Sequence, residues 1–201
     1  MKTIGITGGV GSGKTEVLTY IKEHYDARII VADLAAKELE QPGEECYQAL
    51  VDALGFSILD ESGQINKKVL ADRIFSDQEI LKTVNGIIHP AVKKYILQAI
   101  EKERGKGRQY VIVEAALLIE EGYQDILDEM WYIYASEEVR SRRLRESRGY
   151  SDQKIRNIMA AQKKEEEFRA VCDHVINNDS TREEMQKQVT ELLGEGRWEM
   201  K

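Results

Sequence analysis

Apolar positions along this chain fall into two rhythms. Short runs rich in Ile, Val and Tyr occur at residues 3–7, 28–32, 110–115, 130–135 and 174–177. Such runs suit strands buried on both faces. Between them, apolar residues recur at helical spacing over residues 14–24, 34–39, 44–54, 67–74, 79–102, 137–148, 152–168 and 182–193. Strands that alternate with helices predict parallel pairing and right-handed crossovers. The stretch 34–106 holds no convincing strand and reads as a helical excursion beside the crevice at the strand C-termini. A smaller basic excursion covers about 137–169. The core is then expected from 1–33, 107–136 and 170–193, in a single domain, with a loose tail over 194–201. No repeat or low-complexity segment interrupts the pattern.

Composition narrows the class. The 201 residues include 29 Lys and Arg against 36 Asp and Glu, a net charge of −7. That balance weighs against a nucleic-acid or anionic-membrane binder. No apolar run approaches the ~20 residues a membrane span needs, and the N-terminus reads as strand, not signal peptide. Cys46 and Cys172 are far apart and lack metal spacing, so they read as reduced thiols of a cytoplasmic protein.

The chemistry begins at residues 8–15, GGVGSGKT. This fits G-x-x-x-x-G-K-[ST] at each fixed position, after a strand and before a helix. Glycines remove Cβ atoms and reach backbone angles other residues avoid, so successive N–H groups can turn inward as an anion nest. The following helix adds its positive end. Phosphates are expected there, on Gly9, Gly11, Ser12, Gly13, Lys14, Thr15 and Glu16. Lys14 is expected to reach the β- and γ-phosphates and the Thr15 hydroxyl to hold Mg²⁺.

A phosphate loop alone leaves three classes open: a small-molecule kinase, a nucleotide switch, and a nucleic-acid ATPase. For the switch, residues 60–63, DESG, match D-x-x-G, but no convincing strand precedes them. The segment NKKV at 66–69 lacks the Asp of a guanine-reading N-K-x-D, so DESG reads as a polar turn. For the ATPase, the basic run RSRRLRESR at 140–148 is either a solvated helix face or a lid of phosphate-facing arginines. For the kinase, Asp33 ends the second strand, where it could meet the phosphate crevice or serve as N-cap of the helix 34–39. Glu114 ends the third strand and could hold Mg²⁺ through water. His89 precedes Pro90, which is expected to break or kink the helix 79–102. His89 then either faces the crevice or begins a surface helix.

Together these segments resemble the dephospho-coenzyme A kinases, in the family's order, from Ile4 to about Asn178. IGITGGVGSGKTEV is similar to its phosphate loop, and VADLAAKELEQPGEECYQAL to the segment that begins D-A-D and runs on to Pro-Gly. LGFSILDESGQINKKVLADRIF, NGIIHPAV and EAALLIE resemble its F-G…G…F block, its His-Pro signature and its D-x-P-L-L-x-E segment. AAQ, ending at Gln162, and DHVINN, 173–178, resemble segments that close the lid and enclose adenine. The chain departs from the family at Val31, for the first Asp of D-A-D, and at Glu114 and Ala116, for the Asp and Pro of D-x-P. In the lid, Ser147 stands where the arginine of R-D-G belongs, with Arg148 one place later.

The resemblance implies an α/β, three-layer P-loop fold with a five-stranded parallel sheet, a helical acceptor-binding insertion and a lid. It implies transfer of the ATP γ-phosphoryl group to the ribose 3′-hydroxyl of dephospho-coenzyme A, with ATP and Mg²⁺ as cofactors and no nucleic-acid or membrane partner. A monomer is favoured. Asp33, Lys14 and Arg148 become the catalytic candidates, although Arg143, Arg145 and Arg148 all compete for the phosphates. Arg143 and Asn178 are expected at the nucleotide. Asp33, Lys37, His89, Glu114 and Leu117 are expected at the acceptor.

Overall fold

A computed structural model describes residues 1–195; the expected tail beyond Glu195 lies outside the described residues. Two compact units divide the chain: Met1–Ile29 together with the chain from Glu103 on, and Ile30–Lys102.

The first unit is built on a sheet of five strands: β1 (Lys2–Thr7), β2 (Ala27–Val31), which runs across the boundary into the second unit, β3 (Tyr110–Glu114), β4 (Glu129–Tyr134) and β5 (His174–Asn177). Their order is β2-β3-β1-β4-β5. β1 pairs in parallel with β3 and β4, and β4 with β5, with Ile6 opposite Glu114 and Thr7 opposite Tyr132. The N-terminal strand is thus central. Its odd and even residues face opposite layers, as the period-2 geometry of a strand requires. Ile4 and Ile6 join Ile112, Trp131, Ile133 and Ile176 in a core covered by Val17 and Ile21 of α1 (Lys14–His24) and by Met185 and Val189 of α9 (Arg182–Leu193). On the opposite face, Gly5 makes room for Leu118, Leu127 and Met130.

Hydroxyl caps start the later helices where the sequence offers them. Ser136 accepts from Val139 N–H at α6 (Glu137–Arg148), Ser151 from Lys154 N–H at α7 (Asp152–Ala160), and Thr181 from Glu184 N–H at α9. Gly149 ends α6 at a φ of 61°, a left-handed position that glycine takes without steric cost. The single helix expected over 152–168 is two, α7 and α8 (Glu165–Val171). Ala161 and Gln162 N–H fold back on Asn157 and Met159 carbonyls, and the Glu167 carboxylate accepts the Lys164 N–H to begin the next helix. Residues 162–167, QKKEEE, are all good helix formers with no Gly or Pro among them, so composition gave no sign of the break.

The second unit is helical: α2 (Ala32–Leu39), α3 (Glu45–Leu54), α4 (Lys67–Ser76) and most of α5 (Gln78–Gly105). Cys46, Leu50, Ile58 and Ile96 are fully buried in it. Arg73 of α4 donates to the Leu54 carbonyl and the Ser57 hydroxyl, tying α4 to the turn after α3. Residues 56–58 form a 3₁₀ turn, and Leu59 and Ile65 make one antiparallel bridge. DESG is the polar turn between them: the Asp60 carboxylate accepts from the Ser62 N–H and hydroxyl and from Gln64 N–H.

Of the break or kink expected at Pro90, the break does not occur: α5 runs from Gln78 to Gly105 with Pro90 inside it. A proline collides with the carbonyl four residues earlier, here that of Gly86, an exposed glycine with no atom within 4 Å of a would-be Cβ. With no side chain at Gly86, the backbone there is freer to accommodate the ring. Nor does Asp33 cap a helix: α2 begins at Ala32, the extended Val31 is its N-cap, and Asp33 lies inside the first turn.

Candidate active site

Three glycines of the phosphate loop have left-handed φ values: Gly8 at 150°, Gly11 at 84° and Gly13 at 91°. A Cβ on any of them would be strained, so the loop's shape depends on glycine. Ser12 N–H bonds to the Gly9 carbonyl at 3.1 Å, and Glu16 and Val17 N–H turn back on Gly13. Among the described residues, the N–H groups of Gly11, Gly13 and Thr15 have no protein acceptor. They open the α1 helix end, where an anion is favoured.

Side chains complete the cradle. Lys14 Nζ donates to the Gly8 carbonyl at 2.7 Å and lies 3.8 Å from Glu114 Oε1. Glu114 reaches it because β3 lies beside β1. The Ser12 hydroxyl is buried with no hydrogen-bond partner among the described residues, a cost of about 1–3 kcal/mol unless a ligand supplies one. Thr15 is exposed at the start of α1, and Glu16, in the same turn, lies 4.0 Å from Arg182 Nε.

Three residues from distant segments close over the loop. Arg140 Nε donates to the Val10 carbonyl at 2.9 Å, and its Nη2 donates to Gln162 Oε1. Arg143 donates to the Ser12 carbonyl at 3.2 Å and to the Asn178 carbonyl at 2.9 Å. Asn178, 1% exposed, donates its own amide to the Ser12 carbonyl at 2.9 Å. These contacts use the glycines a second time. A Cβ on Gly9 would lie 2.5 Å from Arg140 Cζ, and one on Gly13 would overlap the Asn178 amide. Burial pushes the Arg140 pKa down, partly opposed by Tyr132 and Glu137. A guanidinium starts so high that it stays charged.

A triphosphate fits this set: inward N–H groups, a lysine, two guanidinium groups and an orphaned buried hydroxyl. For Mg²⁺ the protein offers Thr15 and Glu114, and no cluster of three metal-ligating His, Cys, Asp or Glu exists among the described residues. Mg²⁺ at phosphates takes one or two protein donors and otherwise phosphate and water oxygens, so the donors present suffice.

The family model of the dephospho-CoA kinases matches residues 2–184. The chain belongs to the dephospho-CoA kinase family. A dephospho-CoA kinase of Geobacillus kaustophilus is 35% identical over 191 residues, covering 95% of this chain and 94% of that one. One of Dehalococcoides mccartyi is 35% identical over 201 residues, the full length of both. The fold is also similar to that of a dephospho-CoA kinase structure from Campylobacter jejuni, with a TM-score of 0.69 at 22% identity over 96% of this chain and 98% of that one.

Within the first unit of this dephospho-CoA kinase family member, the structure brings Gly9, Gly11, Ser12, Gly13, Lys14, Thr15, Glu114, Arg143 and Asn178 to the loop. It does not bring Arg148 there: that residue is exposed at the end of α6, its guanidinium 5.9 Å from the Tyr150 ring centre. Arg145 pairs with Asp152 at 2.7 Å. Leu117, 44% exposed, lies in the turn after β3. In the second unit, Asp33 and Lys37 are exposed on the first and last turns of α2, and half-buried His89 lies mid-way along α5, not at a helix start. Gln162 was named only as the end of the AAQ segment and Arg140 only as the first residue of the basic run; neither was assigned to the site from the sequence. Arg140 stood unmarked in an arginine run; a capping serine four residues earlier placed it on the first turn of α6, the end that follows β4.

Proposed function

We propose that this chain catalyses the ATP-dependent phosphorylation of the ribose 3′-hydroxyl of dephospho-coenzyme A, in the cytoplasm, yielding coenzyme A and ADP. The observation that carries the proposal is the glycine-lined cradle, with Lys14 and two lid guanidinium groups, in a chain matched by the family model over residues 2–184. No helix among the described residues is long and apolar enough to cross a membrane.

In the proposed reaction the ribose 3′-oxygen attacks the γ-phosphorus in line and the bond to the ADP oxygen breaks. The protein's task is positioning and charge stabilisation. Lys14 and the loop N–H groups hold the β- and γ-phosphates, and Arg143 and Arg140 add positive charge from the lid. The Thr15 hydroxyl, and Glu114 through water, would hold Mg²⁺, which would supply further neutralisation of the transferring group. Asp33 accepts the hydroxyl proton, in the role of a carboxylate general base. Lys37 and His89 of the helical unit and Leu117 of the first unit are assigned to the acceptor.

The test is ADP release with Mg-ATP and a panel of acceptors: dephospho-coenzyme A, AMP, shikimate, gluconate and none. Release only with dephospho-coenzyme A is expected, with phosphate appearing at the 3′ position. Release with another acceptor, or equally with none, would overturn the proposal.

A further inference from the structure

One amide joins three segments that are far apart in sequence. Gln162 Oε1 accepts from Val10 N–H at 3.3 Å and from Arg140 Nη2. Both partners are donors, so the oxygen is the atom that faces them. Arg140 Nε in turn donates to the Val10 carbonyl. Both backbone polar groups of Val10 are therefore taken by the lid, while the N–H groups of Gly11, Gly13 and Thr15 are not. The tie rises from the break between α7 and α8, and the next residue, Lys163, braces that link with Glu120 at 3.7 Å and Glu167 at 3.3 Å.

We infer that Gln162 is a positioning residue for the nucleotide: it holds the Arg140 guanidinium over Gly9 without neutralising it. The chemistry of the acceptor is the argument. A carboxylate here would make the same two hydrogen bonds and make them more strongly. It would also pair with Arg140 and set a negative charge beside a phosphate cradle. A neutral amide orients the guanidinium and leaves its charge for an anionic ligand. The guanidinium lies directly over Gly9, where a Cβ would meet Arg140 Cζ at 2.5 Å. A guanidinium released from Gln162 still has the Val10 carbonyl, through Nε, but loses the bond that fixes its plane.

This inference rests on the loop being the nucleotide site and not on the identity of the acceptor. Its test is the affinity of the full chain for Mg²⁺ with a non-hydrolysable ATP analogue, measured by calorimetry beside the melting temperature of the free protein. Gln162→Glu should keep or raise the melting temperature yet weaken nucleotide binding by about tenfold or more, less so in high salt, because the repulsion is screened. Gln162→Ala should weaken binding about fivefold. In an Arg140→Ala background the same Gln162→Ala step should add less than a factor of two, because its effect runs through Arg140.

A purely structural Gln162 predicts otherwise: Gln162→Ala would lower the melting temperature and bind the nucleotide like the wild type. That result overturns the inference, as does a loss of affinity that is fully additive with Arg140→Ala. A wild-type chain with no affinity for the analogue would overturn the nucleotide reading and this inference with it. One that binds the analogue but transfers phosphate to a different acceptor would refute the proposed acceptor, and the Gln162 comparison would still decide this inference.

Discussion

Replacing Asp33 by Asn separates a chemical from a structural role at one carboxylate. The structure removes the capping alternative for Asp33, because α2 starts at Ala32 with Val31 as N-cap. What remains is the attraction of an exposed anion for the positive end of a helix, worth about 0.3–1 kcal/mol and weaker in salt. For a chain of this length ~1 kcal/mol moves the melting temperature by roughly 2–4 °C, so Asp33→Asn should lower it by no more than about 4 °C. An amide cannot take a proton. If Asp33 is the base, kcat should fall at least ~100-fold, the low end of a general-base contribution, or about 2.7 kcal/mol at 1.36 kcal/mol per decade. Affinity for the ATP analogue should be unchanged, because the phosphate loop keeps all its residues. The assay is coupled ADP release with dephospho-coenzyme A at saturating ATP, beside a thermal melt and calorimetry. A variant that keeps more than a tenth of the wild-type kcat refutes the assignment. So does a melting temperature lowered by some 10 °C, since the lost activity would then need no catalytic cause.

Lys14→Ala should remain folded by circular dichroism and lose ~10²–10³-fold in kcat, the cost of one donor aimed at a developing charge. Arg143→Ala gives up bonds to the Ser12 and Asn178 carbonyls, so its ATP dissociation constant should rise at least ~10-fold more than that of Arg148→Ala, measured by calorimetry. Asp128 accepts the Thr3 N–H at 2.7 Å and hydroxyl at 2.8 Å, and these bonds, the backbone one first, hold its carboxyl below the usual carboxylate range. Its stabilisation is therefore present above the unfolded pKa near ~3.9 and is lost as pH falls through the lower folded value. Asp128→Ala should cost roughly 1 kcal/mol at pH 7 for a partly exposed pair of bonds. In urea melts the gap from wild type should close below about pH 4.

The parts of the fold that were readable are those whose signals are local. The β1–loop–α1 unit announces itself within residues 3–24, and β5, α1, α6 and α9 begin and end where period and caps place them. Errors arose where a local signal was answered by a neighbour. Pro90 reads as a breaker until Gly86 is seen four residues before it. Residues 152–168 read as one helix because composition cannot show that Ala161 and Gln162 have closed a turn. The site divides in the same way. Lys14 and Thr15 are fixed by motif and context. The Arg140–Gln162–Val10 tie spans 152 residues and leaves no periodic trace. The arginine run offered several equivalent candidates, and only the start of α6 at Ser136 tells which of them face the loop.

The Ser12 carbonyl is met by the Asn178 amide, 166 residues later in the chain. A ribosome adds about 5–20 residues per second, so that partner follows Ser12 by roughly 8–33 s. β1 emerges first and waits, since its neighbours in the sheet are β3 and β4 and its covering helix α9 is nearly the last element made. During that interval the nascent chain carries a glycine loop with neither its lid nor its closing amide. The nucleotide site is finished only when synthesis is almost over, so nucleotide in the cell can stabilise the completed protein but has little hold on the growing one.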